Sequence, residues 1–271
     1  MSTTSSPTAP TNFGALDDVG LPDCTNCSNS SSEKLGFSFS YAYQPIVDLQ
    51  RGDVFAHEAL VRGPEGQSAM SVLSQVTDLN RYRFDQACRI KAIKDAVALK
   101  LTTKLSINFL PNAVYRPEVC IRATLAAART HGFPIEQIIF ETTEGERIGE
   151  GKWYAEVMTE YKRIGFLTAI DDFGAGYAGL SLLADFQPDL IKLDMQLLRG
   201  IDAHRPRQLI VKAALQLCSE LGILVIAEGV ETLAERDWLW NAGAHLMQGY
   251  LFARPAFQQI LLPDQIAHLR A

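Results

Sequence analysis

From Phe37 onward, the hydrophobic positions of the chain alternate between two patterns. Short apolar, β-branched runs, "FSYAYQPIVDL", "VFAHEALVRG", "KLSINFL", "QIIFETTE", "FLTAIDDF", "DLIKLD", "ILVIAEGVE" and "HLMQGYLFARP", predict eight strands. Between most of them lie segments of helical period, among them "NRYRFDQACRIKAIKDAVALK" and "RPRQLIVKAALQLCSELG". In the second, Leu209, Ala213, Leu217 and Leu221 recur at helical spacing and Gly222 is a stop signal. The first connection, Gln50-Arg51-Gly52-Asp53, is too short for a helix and predicts an antiparallel hairpin. Eight strands with outer helices predict an α/β fold, a TIM-type (β/α)8 barrel with one antiparallel strand. Residues 1–35 are dominated by Ser, Thr, Pro and Asn and predict a flexible tail, which leaves 36–271 as the folded domain.

Composition narrows the function. At 271 residues, with 47% hydrophobic and 21% charged side chains, the chain can bury one large core. No apolar run is long enough for a membrane span, and the first residues lack the basic and apolar regions of a signal peptide, so a soluble, cytoplasmic protein is expected. The net charge of −6 comes without a block of Lys or Arg, which argues against a polymeric nucleic-acid partner. Cys88, Cys120 and Cys218 fall in apolar segments and are expected to be buried thiols, whereas Cys24 and Cys27 form a lone C-x-x-C in the tail with no second ligand pair for a metal.

Seven predicted strands carry a polar group at or near the C-terminal end: Glu58, Asn108, Glu141, Asp171 with Asp172, Lys192, Glu228 and Gln248. In a barrel those ends meet at one face. A lone acid closing a strand is usually a helix cap or a solvated loop residue, but a succession of seven is hard to assign that way. Several carboxylates cannot all stay ionised in a low-dielectric mouth without cations. An oxygen-rich set with one amide and no Cys or His favours Mg²⁺ or Mn²⁺, and the surplus of acids points to two ions of the phosphodiester-cleaving sort. Lys192 could hold a hydroxide or a phosphate's charge, or serve as a salt-bridge partner of Asp194 or Asp171.

The stretch "AIDDFGAGYAG" also contains Gly174, Gly176 and Gly179 in the order G-x-G-x-x-G, the outline of a dinucleotide-binding turn. That reading would set the carboxylates of Asp171 and Asp172 beside a pyrophosphate, so the acids decide against it. The "DFG" triplet does not make a kinase, since neither "HRD" nor "VAIK" is present.

These residues carry a family resemblance. "HEALVRG" resembles the signature of EAL-domain cyclic di-GMP phosphodiesterases, with Glu58-Ala59-Leu60 as the triplet. "YQPIVDL", "SINFLP", "FETTE", "AIDDFGAGYAGLSLL", "PDLIKLD", "VIAEGVET" and "MQGYLFARP" resemble the family's other motifs, in order, over about residues 37–271, which leaves no room for a cyclase partner domain in the tail. The resemblance implies hydrolysis of cyclic di-GMP to linear pGpG with two Mg²⁺ or Mn²⁺ ions, and inhibition by Ca²⁺. It makes Glu58, Asn108, Glu141, Asp171 and Asp172 metal ligands, with Asp171 bridging. Glu228 and Lys192 then ligate metal or activate water, Gln248 helps to hold that water, and Glu144 anchors the loop after Asp172. Gln44, Leu60, Arg62, Asp194, Glu231 and Pro255 become substrate contacts. Thr142, Ala175, Ala178 and Gly179 depart from common family residues without removing a ligand, and "RGPEGQSA" resembles EAL domains attached to blue-light sensors. A homodimer through "AGLSLLADF" would fit the family, though the same pattern would serve core packing. Some EAL domains have lost ligands and act as cyclic di-GMP receptors; Glu58, Asp172 and Glu228 are all present here.

Overall fold

A computed structural model describes residues 35–114, 116–143, 151–175 and 179–269. The tail before Leu35, with Cys24 and Cys27, and Glu144 lie outside the described residues.

All eight expected strands form: β1 (Ser40–Asp48), β2 (Asp53–Arg62), β3 (Lys104–Asn108), β4 (Ile138–Thr143), β5 (Leu167–Phe173), β6 (Leu190–Leu193), β7 (Leu224–Ala227) and β8 (Leu246–Met247). Strands β2 to β8 pair in chain order and parallel. β1 runs antiparallel to both β2 and β8 and closes the barrel. The short turn before Asp53 permits only this hairpin, while each later connection carries a helix.

Inside the barrel Ile46, Ala56, Ile139, Ala169, Leu190, Ile226 and Leu246, one from each of seven strands, form a single buried cluster. β3 contributes the buried Ser106 beside them. Helix Arg81–Ala98 lies outside β2 and β3, with Val72, Phe84 and Cys88 buried under Leu35, Phe37 and Phe39. The three core cysteines are buried free thiols. Among the described residues no helix is long and apolar enough to cross a membrane.

Three expectations need correction. The run "HLMQGYLFARP" yields only two strand residues, because the chain leaves the barrel after Met247 to pair with the β7 loop: Val230 N donates to Gln248 O and Leu251 N to Val230 O, both at 3.0 Å. Gly249 allows this crossing, since a Cβ there would stand 2.0 Å from Val230 O. A ninth strand, β9 (Ala256–Phe257), was not anticipated and pairs antiparallel with β1. Helix Arg205–Leu221 ends at Gly222 in the left-handed region (φ 72°), as the stop signal implies. Its leucine stripe, however, faces outward: Leu209 is 52% and Leu221 41% exposed, and Val211 and Cys218 make the buried side.

Candidate active site

The period of two along a strand explains how the polar residues converge. In each parallel strand the mouth residue stands two positions past a buried layer residue: Ala56 and Glu58, Ser106 and Asn108, Ile139 and Glu141, Ala169 and Asp171, Leu190 and Lys192, Ile226 and Glu228, Leu246 and Gln248. β1 runs the other way, so Gln44 stands two positions before Ile46 and lies directly opposite Glu58. The polar ring is therefore the next layer of the barrel interior.

Asp171 and Asp172 would point to opposite faces of a regular strand. The β5–β6 register is irregular between Ile170 and Phe173, and Asp172 takes a left-handed φ of 54°. This departure turns both carboxylates toward the mouth. The Asp172 backbone N donates to Asp171 Oδ1 at 2.9 Å.

Lys192 is the cation of the ring. Its Nζ lies 2.7 Å from Glu228 Oε1, 3.0 Å from Glu141 Oε2, 3.2 Å from Asp171 Oδ1 and 3.5 Å from Glu58 Oε2. Of the two salt-bridge partners expected for Lys192, Asp171 is present. Asp194 is not, because its Oδ1 caps the following helix by accepting from Gln196 N at 2.8 Å. Glu58 is held from both sides, with Asn108 Nδ2 donating to Oε1 and Gln248 Nε2 to Oε2, each at 2.9 Å.

One ammonium cannot neutralise five carboxylates. Burial, with Glu58 and Asp171 nearby, pushes the Glu141 carboxyl up to about 8 even against the pull of Lys192. Burial also holds Glu228 well above the usual carboxylate range, and raises Asp172 beside Asp171 and Asp194. For Lys192 burial works the other way, yet Asp171, Glu141, Glu228 and Glu58 outweigh it and hold the ammonium well above its usual value.

Two groups of acids present oxygens within 4.8 Å of one another, Glu58 with Glu141 and Asp171, and Asp171 with Asp172 and Glu228. Asp171 belongs to both. Glu141 Oε1 and Gln248 Oε1 are buried and have no hydrogen-bond partner. Acceptors orphaned among surplus negative charge are what a pair of hard divalent cations would satisfy, so the residues fit such a group.

Beside the ring opens a cavity of about 250 Å³ lined by Gln44, Glu58, Asp172, Asp194, Glu228, Glu231 and Gln248. Glu231 receives Arg199 at 2.8 Å, and Gln44 Nε2 donates to Ala253 O at 3.1 Å. Leu60 and Arg62 do not line it; they face a second, largely apolar cavity of about 310 Å³ between the barrel wall and helix Arg81–Ala98, with Asn108 among its walls. Pro255, just before β9, lines neither. The sequence reading missed Met195 and the half-exposed Tyr250, which line the first cavity. The Arg254 guanidinium stands 4.2 Å from the Tyr250 ring centroid. The aromatic within "QGYLFARP" was the available signal.

The profile of the EAL domain family matches residues 31–255. Over 215 residues the chain is 38% identical to the blue light- and temperature-regulated antirepressor BluF of Escherichia coli, covering 79% of this chain and 53% of that protein. It is 31% identical to the probable cyclic di-GMP phosphodiesterase PdeN of the same organism, covering 80% of this chain and 43% of that one. The chain thus spans about half the length of these curated relatives. Among solved structures, a standalone versatile EAL protein of Vibrio cholerae in its c-di-GMP-bound form superposes with a TM-score of 0.82 at 54% identity, over 84% of this chain and 97% of that one. The manganese/cy-diGMP complex of Klebsiella pneumoniae BlrP1 gives 0.77 at 39%, over 81% and 56%. On its profile match, its identities and its barrel, the chain belongs to the EAL domain family.

Proposed function

We propose that this protein hydrolyses one phosphodiester of cyclic di-GMP to linear pGpG with two divalent cations, Mg²⁺ or Mn²⁺, and so lowers the level of that second messenger. The observation that carries the reading is the pair of three-carboxylate groups sharing Asp171 beside Lys192 at the barrel mouth. Glu58, Asn108, Glu141 and Asp171 would hold one cation, and Asp171, Asp172 and Glu228 the other. Bound there, the cations supply a hydroxide at neutral pH and charge to stabilise the leaving 3′-oxygen. Lys192, hydrogen-bonded to Glu141, orients the attacking oxygen from its own position between the carboxylates. Gln248, with Oε1 unpartnered, accepts from that water. Glu144 anchors the loop after Asp172.

Gln44, Asp194 and Glu231 would contact the dinucleotide in the first cavity, with Leu60, Arg62 and Pro255 contacting its further parts. Arg62 suits a phosphate, because its planar fork grips two anionic oxygens. Ca²⁺ would inhibit by occupying the site with the wrong geometry. A cytoplasmic site of action, a homodimer through helix Gly179–Asp185 and a part in biofilm and motility control belong to the same reading.

The second reading is a regulator that binds cyclic di-GMP without cleaving it; the similarity to BluF, an antirepressor by name, favours its regulatory part alone. Incubation of purified protein with cyclic di-GMP and Mg²⁺ or Mn²⁺, followed by chromatography, separates the two. Release of pGpG is expected; binding without pGpG under either metal would leave the regulator.

A further inference from the structure

Behind the mouth, between β3, β4 and the outer helices, lies a buried ion pair that the proposed chemistry does not use. Asp85 and Arg89, one turn apart on helix Arg81–Ala98, are bonded through Oδ2 and Nη2, and both side chains are shielded from solvent. Arg89 Nη1 donates to Tyr161 Oη at 3.1 Å, on helix Gly151–Ile164. The other oxygen, Asp85 Oδ1, accepts from the backbone N of Leu110 at 3.0 Å. The guanidinium lies 6.0 Å from the Phe109 ring and 5.8 Å from the Phe140 ring. Those rings belong to the residue after Asn108 and the residue before Glu141, and Phe109 N donates to Glu141 O at 2.9 Å.

Burying such a pair rarely adds net stability, because desolvation offsets the attraction. Arg89 Nε has no hydrogen-bond partner, so the arrangement is not optimised for stability alone. What it does is hold the chain just beyond Asn108 against the helix layer while packing on the neighbours of both Asn108 and Glu141.

We propose that Asp85, through Leu110 N and with Arg89 and Tyr161 fixing its carboxylate, is a positioning residue for Asn108 and Glu141 and thereby sets the cation affinity of the mouth. This rests on the reading of the mouth as a metal centre. Supporting groups of this kind commonly change metal affinity by about 10- to 100-fold.

Two double variants isolate the tether. D85N/R89M removes both charges but keeps an oxygen for Leu110 N; D85L/R89M removes the oxygen as well. Mn²⁺ binding is measured by electron paramagnetic resonance, with melting temperature and amide exchange of Leu110 alongside. Expected are Mn²⁺ binding a few-fold weaker than wild type for D85N/R89M, which loses the groups that fix the carboxylate, about 10-fold or more weaker binding for D85L/R89M, and the fastest Leu110 exchange in the latter. Y161F, which disturbs the fold least, should weaken Mn²⁺ binding with little change in melting temperature. Equal Mn²⁺ affinity in the two doubles overturns the proposal, as does wild-type affinity in Y161F should the doubles not fold. Wild type that takes up no Mn²⁺ refutes the metal centre instead, and Leu110 exchange then judges the tether by itself.

Discussion

Asp171 and Asp172 are neighbours in the chain and yet both serve the same cluster, because Asp172 adopts a φ of 54° where a regular strand would turn it away. Asn tolerates that region well, so Asp172→Asn should keep the backbone while removing one anionic ligand. We expect pGpG production to fall by orders of magnitude, with cyclic di-GMP still bound in calorimetry when Ca²⁺ is present. A variant that retains wild-type turnover would remove Asp172 from the chemistry.

Lys192 stands among Glu58, Glu141, Asp171 and Glu228 as their shared counter-charge. Lys192→Met leaves those acids facing one another, and breaking a buried pair of this kind costs about 3–5 kcal/mol. The metal-free variant should melt lower than wild type, and Mn²⁺ should recover part of the loss while the rate stays at least about 100-fold down. Rate and melting temperature that both match wild type would contradict the role given to the ammonium.

The pH dependence follows from Glu141, whose carboxyl rises from 4.5 to about 8 on folding. The folded state then binds a proton that the unfolded chain releases, so this stabilisation is complete below about pH 4.5 and is lost as the pH rises through about 8. In a chelator, the melting temperature should fall between about pH 5 and pH 8 and level off above that. Metal uptake must expel the proton, so Mn²⁺ should bind more tightly, and raise the melting temperature more, at the upper end. Calorimetry in buffers of different ionisation enthalpy would detect the released proton, and pH-independent Mn²⁺ affinity would refute the assignment.

Truncation tests where the folded domain begins. Leu35, Phe37 and Phe39 cover the cluster of Val72, Phe84 and Cys88, and Phe39 meets Phe84 with ring centroids 5.4 Å apart. A chain starting at Leu35 should keep its melting temperature and rate, whereas one starting at Ser40 should melt several degrees lower. Equal stability of the two would show that this cover is dispensable.

Much of this architecture was legible in the residue pattern. Each parallel strand repeats a small or apolar residue followed two places later by a polar one, as in Ile139 and Glu141 or Leu190 and Lys192, and β1 shows the same pair reversed in Gln44 and Ile46. That alternation is local, and a barrel has only one interior, so the eight barrel strands, the hairpin at Gln50–Asp53 and the ring of acids could all be read from the residue pattern, whereas β9 could not. Tertiary structure decided what depends on a second segment of chain. Lys192 has four carboxylate neighbours from four other strands or strand ends, and no spacing distinguishes them from Asp194, only two residues away. Met247 ends β8 because the β7 loop competes for its continuation through Val230. The period of two puts Leu60 and Arg62 on the face of Glu58, and only the packing of helix Arg81–Ala98 beside the barrel shows that they line the second cavity and not the first. The Asp85–Arg89 pair reads in sequence as an ordinary i,i+4 surface pair, and only the packing of Phe109, Phe140 and Tyr161 around it removes it from water. Period and propensity act between neighbours in the chain, whereas burial, charge compensation and cavities arise between segments that only folding brings together.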